Sequence, residues 1–231
     1  MIPEKKYSVI IVAGGKGLRA GSDLPKQFCT IGTKPMLMHT IEAFYRFDYR
    51  LRIVLILPVG YTLLWEELCA QYRFSIAHEV AIGGDSRFQS VKNGLELISE
   101  EETVGIHDAA RPFVSGSVIG RCYETAFEHD CGAIPVIDEP NSVRRLTAGG
   151  SEPVNRAALK IVQTPQVFPA ERLKQAYQVP DDPSFTDDAS VAERAGIKIR
   201  LVPGDERNIK ITSSFDLEIA NYLKRKGDEP V

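Results

Sequence analysis

The feature that most constrains the fold is a short apolar strand pattern that leads directly into a loop rich in glycine and positive charge. Residues 8–12, S-V-I-I-V, form the β-branched run typical of a strand covered on both faces of a parallel sheet. Gly14, Gly15 and Gly17 follow, and glycines let the backbone approach a ligand closely, with amide N–H groups free to bind anionic oxygens. The same loop carries three cations, Lys16, Arg19 and Lys26. Because the loop is rich in both glycine and positive charge, we expect it to bind a phosphorylated nucleotide.

Two commoner nucleotide motifs do not account for this loop. Residues 15–20 match the loose dinucleotide pattern G-x-G-x-x-A, but in that fold a long helix starts inside the motif. Here Pro25 stops any helix within a few residues, which predicts an extended loop. The Walker pattern, G-x-x-x-x-G-K followed by Ser or Thr, is absent. The alternative is a plain glycine turn whose Lys and Arg side chains are solvated.

Strand and helix patterns alternate along most of the chain, which predicts an α/β fold with a parallel sheet. Ser213 and Asp216 form a candidate capping pair for the last helix. The predicted strands after the first are 52–57, 74–80, 103–107, 132–137 and 197–202, and the predicted helices are 36–47, 61–72, 87–99, 117–129, 170–178, 187–195 and 215–225.

The alternation breaks at residues 138–162, which contain two prolines and a glycine pair. The flanks 142–146 and 158–162 alternate between apolar and polar residues, and this predicts a β-hairpin arm. A two-stranded arm is only marginally stable alone, so we expect it to pack against a second copy of the chain.

Length and composition set further limits. The 231 residues fit a single domain, 1–231, and the net charge of −3 without a strongly basic block argues against a nucleic-acid partner. The four cysteines form no C-x-x-C pair, which is typical of reduced thiols in a cytoplasm. No segment approaches the ~20 apolar residues of a membrane span, so we expect a soluble cytoplasmic protein with no membrane partner.

Four further segments carry candidate functional residues. Asp108 follows a predicted strand at the sheet edge where ligands bind; it either helps to hold Mg²⁺ or caps the next turn. The turn that contains Gly84 is a plain loop unless the fold places it beside the first loop. Lys210 lies between isoleucines, and it either binds a phosphate or extends into solvent. Thr186 precedes a helix, where it either caps that helix or contacts a ligand.

The cations of the first loop and Lys210 are not accompanied by an obvious general base, since no histidine has the spacing of a metal site or a catalytic triad. This combination fits phosphate chemistry in which the nucleophile is already ionised. A phosphate monoester has a second pKa near ~6 and is mostly dianionic at neutral pH. Its attack on the α-phosphorus of a nucleoside triphosphate needs positioning and charge neutralisation by Arg, Lys and Mg²⁺.

Six segments together resemble one enzyme family over nearly the whole chain. They are A-G-G-K-G-L-R-A with L-P-K-Q-F, G-G-D-S-R, H-D-A-A-R-P-F, Q-T-P-Q-V-F, T-D-D-A-S and N-I-K-I-T. Their order is similar to that in the 2-C-methyl-D-erythritol 4-phosphate cytidylyltransferase family. The resemblance implies transfer of CMP from CTP in isoprenoid synthesis with Mg²⁺. It also implies a Rossmann-like, open, mostly parallel sheet with helices on both faces, and a homodimer that exchanges its arms.

The resemblance also implies roles for individual residues. Arg19 and Lys26 correspond to the pair that stabilises the reacting phosphorus and the departing pyrophosphate. Lys210 and Arg156 correspond to the residues that position methylerythritol phosphate, with Arg156 supplied by the other subunit. In this family an Asp-Thr pair occurs early in the arm; the segment 138–142 is longer here, and Ser142 takes the place of the threonine. The implied nucleotide contacts are Ala13, Gly14, Gly15, Gly17, Gly84, Asp85, Arg87 and Ser90, and the implied substrate or metal contacts are Asp108, Arg111, Thr164 and Thr186.

Three other functions compete with this one. The first is cytidylylation of ribitol 5-phosphate, which shares the glycine loop but matches H-D-A-A-R and P-V-N-R less well. The second is a non-catalytic nucleotide-binding domain, which has less need of Arg19, Lys26, Asp108 and Lys210 together. The third is a dehydrogenase, which NAD(H) binding would reveal.

Overall fold

Strands and helices alternate along the chain, as the apolar patterns predict. The structure is a computed structural model, and it describes residues 6–14 and 25–228. Its strands are β1 Tyr7–Val12, β2 Thr30–Ile31, β3 Lys34–Pro35, β4 Arg52–Leu57, β5 Glu79–Ile82, β6 Thr103–Asp108, β7 Gly132–Asp138, β8 Val143–Thr147, β9 Gly150–Val154, β10 Lys160–Val162, β11 Gln166–Pro169 and β12 Ile199–Pro203. Its helices are α1 Met36–Phe47, α2 Thr62–Gln71, α3 Arg87–Leu95, α4 Gly116–His129, α5 Ala170–Ala176, α6 Asp188–Arg194 and α7 Ser214–Asp228.

The main sheet has helices on both faces. Phe44 of α1, Trp65 of α2 and Cys122 of α4 belong to one apolar cluster, and Val91 of α3 and Leu173 of α5 belong to the other. Strand β1 contributes alternate residues to both clusters, as a strand of period two must when it is covered on each side. The predicted α/β class and the covered first strand are therefore confirmed.

The strand order of the main sheet is β10-β7-β11-β6-β1-β4-β5, with β12 also paired to β7. β1 pairs in parallel with both β4 and β6, β4 pairs in parallel with β5, and β12 pairs in parallel with β7. The chain extends from β1 through β4 to β5 and then returns to β6 on the other side of β1. In open α/β sheets, ligands bind outside the carboxyl ends of the strands at such a reversal.

Strand β11 is antiparallel to β6, with Gln166 opposite Ile106, and it is missing from the sequence prediction. Because of this direction, the start of β11 lies beside the end of β6 at the edge where ligands bind. Helix α4 covers these strands closely at Gly105, where a Cβ atom would lie 2.6 Å from the Tyr123 hydroxyl oxygen. That hydroxyl donates a hydrogen bond of 2.5 Å to the Ser8 carbonyl. Glycine is therefore required where helix and sheet meet.

The prediction of a strand over 74–80 is wrong in its position, because β5 begins only at Glu79. Phe74 and His78 turn their rings toward Trp65, at centroid distances of 5.9 and 5.6 Å. Trp65 Nε1 also donates to His78 Nε2 at 2.9 Å. The segment packs against α2 by its aromatic side chains, and its alternating pattern reflects this packing. The helix predicted over 87–99 likewise ends early, at Leu95.

The arm is a hairpin, but its second strand is not the predicted one. β8 pairs with β9, so that Val143 lies opposite Val154 and Thr147 opposite Gly150. The predicted flank 158–162 instead contributes β10, which returns to the main sheet and pairs antiparallel with β7. The alternation at 158–162 predicts a strand, but the sequence pattern alone does not say whether that strand pairs with β8 or with the main sheet.

Helix α7 closes the fold over the small β2–β3 hairpin. The hydroxyl oxygen of Ser213 accepts from the Asp216 N–H at 3.2 Å, and the Asp216 carboxylate accepts from the Ser213 N–H at 2.8 Å, which confirms the predicted capping pair. The helix contributes Ala220 to a third apolar cluster that includes Ile31 and Ile211. Across the described residues, none of the α-helices has the length and apolar character needed to cross a membrane.

Candidate active site

The ends of β1 and β6 form the centre of the candidate site. Val12 and Asp108 are register partners in the parallel ladder, and the Ala109 N–H donates to the Val12 carbonyl at 3.1 Å. The chain leaves β1 through Ala13 and Gly14 into the glycine-rich loop. The start of the first loop, Ala13 and Gly14, therefore lies near Asp108 at the reversal in strand order.

The turn at Gly84 lies beside Gly14, where the first loop begins, and a functional role for this turn requires such a position. A Cβ atom on Gly14 would lie 3.0 Å from the Ser90 hydroxyl oxygen. That oxygen accepts from the Gly84 N–H at 3.1 Å and donates to the Ser86 carbonyl at 2.8 Å. Asp85 is exposed in the same turn. The fold thus brings Gly14, Gly84 and Ser90, three of the predicted nucleotide contacts, close together.

Lys26 borders the first loop on a short 3₁₀ turn, Lys26–Phe28. The neighbouring Gln27 side chain is buried and donates from Nε2 to the Ala13 carbonyl at 2.8 Å, so this turn is tied to the end of β1. Three other predicted residues of the loop lie outside the described residues: Gly15, Gly17 and Arg19.

Asp108 is buried and faces three cations. Its Oδ2 lies 2.9 Å from Lys210 Nζ and 3.4 Å from Arg111 Nε, and its Oδ1 lies 3.8 Å from Arg87 Nε. Burial alone would raise the pKa of this carboxyl, but the charges of Arg87, Lys210 and Arg111 outweigh burial and hold the pKa well below its usual range. Asp108 is therefore ionised, and its carboxylate keeps the three cations close together.

Lys210 is carried by an irregular segment that hydrogen bonds fix to the sheet edge. Arg111 Nη1 donates to the Asn208 carbonyl at 2.8 Å, and Asn208 Nδ2 donates to the Thr164 carbonyl at 2.8 Å. The Ile211 N–H donates to the Ala110 carbonyl at 2.9 Å. The lysine predicted to bind a phosphate thus reaches Asp108, although the two residues are far apart in sequence.

Arg87 is directed mainly at Asp188. Its Nη1 and Nη2 atoms donate to the two oxygens of Asp188 at 2.9 and 2.6 Å, and the Tyr177 hydroxyl donates to the same carboxylate at 2.7 Å. Burial acts to lower the pKa of Arg87, but the charge of Asp188 more than reverses this and the pKa is raised. Because this bidentate pair occupies its terminal nitrogens, the predicted contact between Arg87 and a nucleotide stays a prediction.

Thr164 and His107 lie directly behind Asp108. The Thr164 hydroxyl oxygen accepts from the Asp108 N–H at 3.1 Å and lies 3.0 Å from His107 Nδ1. His107 Nε2 is 3.1 Å from the Arg111 carbonyl oxygen. Burial lowers the pKa of His107 to about 4, so its ring is neutral at neutral pH.

Thr186 does not cap α6, so that alternative is wrong. The N-cap is Asp187, whose Oδ1 accepts from the Ser190 N–H at 2.9 Å in a capping box. The start of the helix is also fixed by Gln166, which donates to the Asp187 carboxylate and accepts from the Ala189 N–H, both at 2.8 Å. Thr186 is exposed just before this cap, and its contact with a ligand stays a prediction.

Arg156 and Ser142 lie on the arm and are exposed. Arg156 Nη1 donates to the Pro140 carbonyl at 2.5 Å. Within residues 6–14 and 25–228 of one chain, no hydrogen bond or ion pair connects Arg156 to Asp108 or Lys210. The structure of one chain thus groups Lys210 with Asp108 and leaves Arg156 apart from them.

Sequence reasoning missed several residues that hold the site together. The sequence indicates Asp188 only as part of a helix start, yet its side chain is completely buried, and a buried carboxylate needs a cationic partner. Gln163 and Asn208 are also buried polar residues that join the segment after β12 to the start of β11. Asp188 and Asn208 both lie next to other polar residues, in T-D-D-A-S and D-E-R-N, so the local sequence carries no signal that either side chain is buried.

An enzyme that moves a nucleotide between phosphates needs backbone donors for the phosphates and fixed cations at one crevice. At the ends of β1 and β6 the structure shows the fixed cations, since Arg87, Arg111 and Lys210 converge on Asp108, and this arrangement is the one expected of an α/β nucleotidyltransferase. Comparison with known proteins narrows this class, because the family model for 2-C-methyl-D-erythritol 4-phosphate cytidylyltransferase matches residues 7–226. The chain belongs to that family.

Individual relatives agree with the family model. The chain is 55% identical over 218 residues to the 2-C-methyl-D-erythritol 4-phosphate cytidylyltransferase of Bacteroides thetaiotaomicron, covering 94% of this chain and 99% of the relative. It is 34% identical over 222 residues to that of Geobacillus kaustophilus, covering 94% and 96%. The solved structure of the Thermus thermophilus enzyme superposes with a TM-score of 0.76 at 29% identity, covering 95% and 99%. A crystal structure of 4-diphosphocytidyl-2C-methyl-D-erythritol synthase gives a TM-score of 0.80 at 28% identity, covering 96% and 100%.

Proposed function

We propose that the chain transfers CMP from CTP to 2-C-methyl-D-erythritol 4-phosphate in isoprenoid biosynthesis. A phosphate oxygen of the acceptor forms a bond to the α-phosphorus of CTP. The bond between the α-phosphorus and the oxygen that bridges it to the β-phosphorus breaks, and pyrophosphate leaves. The observation that carries the proposal is the ion pair of Lys210 and Asp108 at the β1–β6 edge, where Asp108 is the register partner of Val12 at the end of β1. Membership of the cytidylyltransferase family names the two substrates.

The reaction needs positioning and charge neutralisation more than proton transfer. The acceptor phosphate is mostly dianionic at neutral pH, so no residue has to remove a proton from it. Lys26 and Arg19 act on the reacting phosphorus and the departing pyrophosphate, and Lys210 with Arg156 positions the acceptor phosphate. Backbone donors of the first loop and the Gly84 turn hold the nucleotide. The support for Lys210 is its location at the crevice, 2.9 Å from Asp108.

We further propose that Mg²⁺ is bound mainly by the triphosphate, with Asp108 as the protein ligand. Within the described part of the chain, no group of three or more His, Cys, Asp or Glu side chains could hold a metal ion alone. One carboxylate together with substrate phosphates is, however, a donor set that Mg²⁺ accepts. Asp108 fits this role, because Lys210 and Arg111 contact Oδ2 and Oδ1 is left at 3.8 Å from Arg87. When bound, the ion neutralises charge on the phosphates.

The exposed hairpin supports a homodimer in which the arms are exchanged. Leu146 at the end of β8 is 85% exposed, although isolated hairpins are marginally stable and need a covering surface. Arg156 follows the hairpin and has no contact with Asp108 or Lys210 within the described residues of its own chain. A partner subunit's arm would therefore supply Arg156 to the site. The four cysteines are free, which supports the proposal that the protein works in the cytoplasm.

The test is release of pyrophosphate from CTP, ATP, GTP and UTP with either methylerythritol 4-phosphate or ribitol 5-phosphate. We expect turnover with CTP, Mg²⁺ and methylerythritol 4-phosphate, and its loss when EDTA is added. Equal or faster turnover with ribitol 5-phosphate would overturn the acceptor, and binding of CTP without turnover of either acceptor would overturn catalysis.

A matched pair of lysine variants separates the site from the general surface charge. Lys210→Met should lower kcat/KM at least about 100-fold, which corresponds to the loss of one preorganised charge. Lys6→Met removes an exposed ion pair with Glu101 at 3.2 Å and should leave the rate within about twofold. Equal effects of the two substitutions would refute the proposed role of Lys210.

A further inference from the structure

A chain of hydrogen bonds behind Asp108 connects His107, Thr164 and the turn that carries Asp108. The three contacts are Asp108 N to Thr164 Oγ1 at 3.1 Å, Thr164 Oγ1 to His107 Nδ1 at 3.0 Å, and His107 Nε2 to the Arg111 carbonyl oxygen at 3.1 Å. His107 and Thr164 are buried, and the His107 ring packs edge-on against Phe44 at a centroid distance of 4.9 Å. Solvent therefore has little access to these groups.

The direction of each hydrogen bond follows from the donors and acceptors present. A carbonyl oxygen only accepts hydrogen bonds, so His107 Nε2 must carry a proton and donate it to the backbone carbonyl of Arg111. A neutral imidazole has a single N–H, which leaves Nδ1 as an acceptor, and the Thr164 hydroxyl donates to it. The Thr164 oxygen in turn accepts from the Asp108 N–H. The chain of donors is thus fully determined.

The Thr164 hydroxyl has a single proton, and in this arrangement that proton is donated to His107. The family resemblance implies that Thr164 contacts substrate, but a hydroxyl that donates to His107 has no second proton for a phosphate oxygen. We propose that His107 and Thr164 act as positioning residues, which fix the backbone at Asp108 and the turn to Arg111 so that the carboxylate faces its three cations. The catalytic part of this inference rests on the proposed cytidylyl transfer.

The first test concerns the resting protein and needs no activity. In ¹⁵N NMR spectra of histidine-labelled protein at neutral pH, the His107 signal, identified by its loss in His107→Phe, should show a protonated Nε2 and a bare Nδ1. Amide hydrogen exchange at Asp108 should be about tenfold faster in Thr164→Val, which lacks the hydroxyl, and unchanged in Thr164→Ser, which keeps it. A protonated Nδ1, or equal exchange in the Val and Ser variants, would overturn the proposal.

The second test is a double-mutant cycle on kcat. We expect Thr164→Val and His107→Phe each to lower kcat about tenfold, the double variant to be no slower than either one, and KM for CTP to change less than threefold. Thr164→Ser should keep kcat within about threefold. Multiplicative effects in the double variant would overturn the coupling, and so would a Thr164→Val variant that changes only KM for the acceptor.

The two tests separate this inference from the proposed function. If methylerythritol 4-phosphate is not a substrate, the NMR and exchange results still decide whether the hydrogen-bond chain exists. If the Val and Phe variants do not fold, the His107 signal is identified instead as the one that persists when His39, His78 and His129 are each replaced singly. Its protonation and the exchange in Thr164→Ser then still decide the matter, because the wrong protonation or faster exchange would refute the hydrogen-bond chain.

Discussion

The ion pair between Arg87 and Asp188 gives the sharpest prediction about stability. Asp188 has no exposed surface, and its carboxylate accepts two hydrogen bonds from Arg87 and one from the Tyr177 hydroxyl. Asp188→Asn keeps the shape of the side chain but removes its charge, so the Arg87 guanidinium loses its principal counter-charge. Loss of one partner of a buried pair costs about 3–5 kcal/mol.

The lower end of that range applies here. The Arg87 side chain is 33% exposed, and Asp108 Oδ1 remains 3.8 Å from Arg87 Nε as a second negative charge. We therefore expect Asp188→Asn to lower the free energy of unfolding by about 3 kcal/mol. Urea denaturation followed by circular dichroism measures this difference, at one fixed protein concentration because dimerisation would couple to unfolding.

Two further variants make the test specific. Glu79→Gln breaks the exposed pair with Arg52, which has distances of 2.7 and 3.2 Å, and should cost less than about 1 kcal/mol because solvent screens both charges. The double variant Arg87→Met with Asp188→Leu removes both buried charges and should recover most of the stability lost in Asp188→Asn. If Asp188→Asn costs no more than Glu79→Gln, or if the double variant is less stable than Asp188→Asn, the reasoning is refuted.

Three other predictions concern catalysis, assembly and pH. Lys26→Ala should lower kcat about 100- to 1,000-fold, measured by pyrophosphate release, with a smaller change in CTP affinity by calorimetry; a near-normal kcat would make Lys26 an ordinary loop residue. If Arg156 acts across the dimer, a mixture of equal amounts of Lys26→Ala and Arg156→Ala protein should recover about a quarter of wild-type activity. Two different tags verify that the subunits have exchanged. Activity that stays at the mutant baseline after exchange would refute the prediction. Because the pKa of His107 is about 4 in the fold and 6.5 as its ordinary value, the unfolded chain binds this proton first as the pH falls. Stability should therefore decrease by up to ~3 kcal/mol between about pH 6.5 and 4, and His107→Gln should flatten that part of the urea-denaturation profile; an unchanged slope would contradict the assignment.

The sequence predicted most of the fold because strong apolar periodicity marks buried elements. The helix at 36–47 and the strand at 52–57 have the predicted bounds, since both have long apolar patterns and clear ends. The errors lie where another contact explains the same pattern. Phe74 and Ile76 alternate like strand residues, but they pack against the core beside α2. At 158–162 the pattern was that of a strand, and only the three-dimensional structure reveals its partner, β7.

The site could be predicted from sequence only in part. Asp108, Lys210 and the Gly84 turn were chosen from residue type and motif, and the structure places them at the same edge of the sheet. The position of Lys210 relative to Asp108 depends on the residues that lead into β11, because Asn208 donates to the Thr164 carbonyl. Strand β11 runs antiparallel and is too short to give a periodic signal. Asp188 was not chosen, because nothing in its local sequence shows that Arg87, distant in the chain, would cover it.

The charge arrangement around Asp108 explains why the proposed phosphate site contains a buried carboxylate. Arg87, Arg111 and Lys210 would repel one another if they were gathered without an anion, and the site would have to reorganise each time a phosphate arrived. Asp108 holds Lys210 and Arg111 through one oxygen, while Asp188 holds Arg87 from the other side. The excess positive charge is small, but it is fixed in position before substrate binds. In the proposed reaction an incoming triphosphate would meet cations that are already oriented, and such preorganisation accelerates a reaction in which no proton has to be moved.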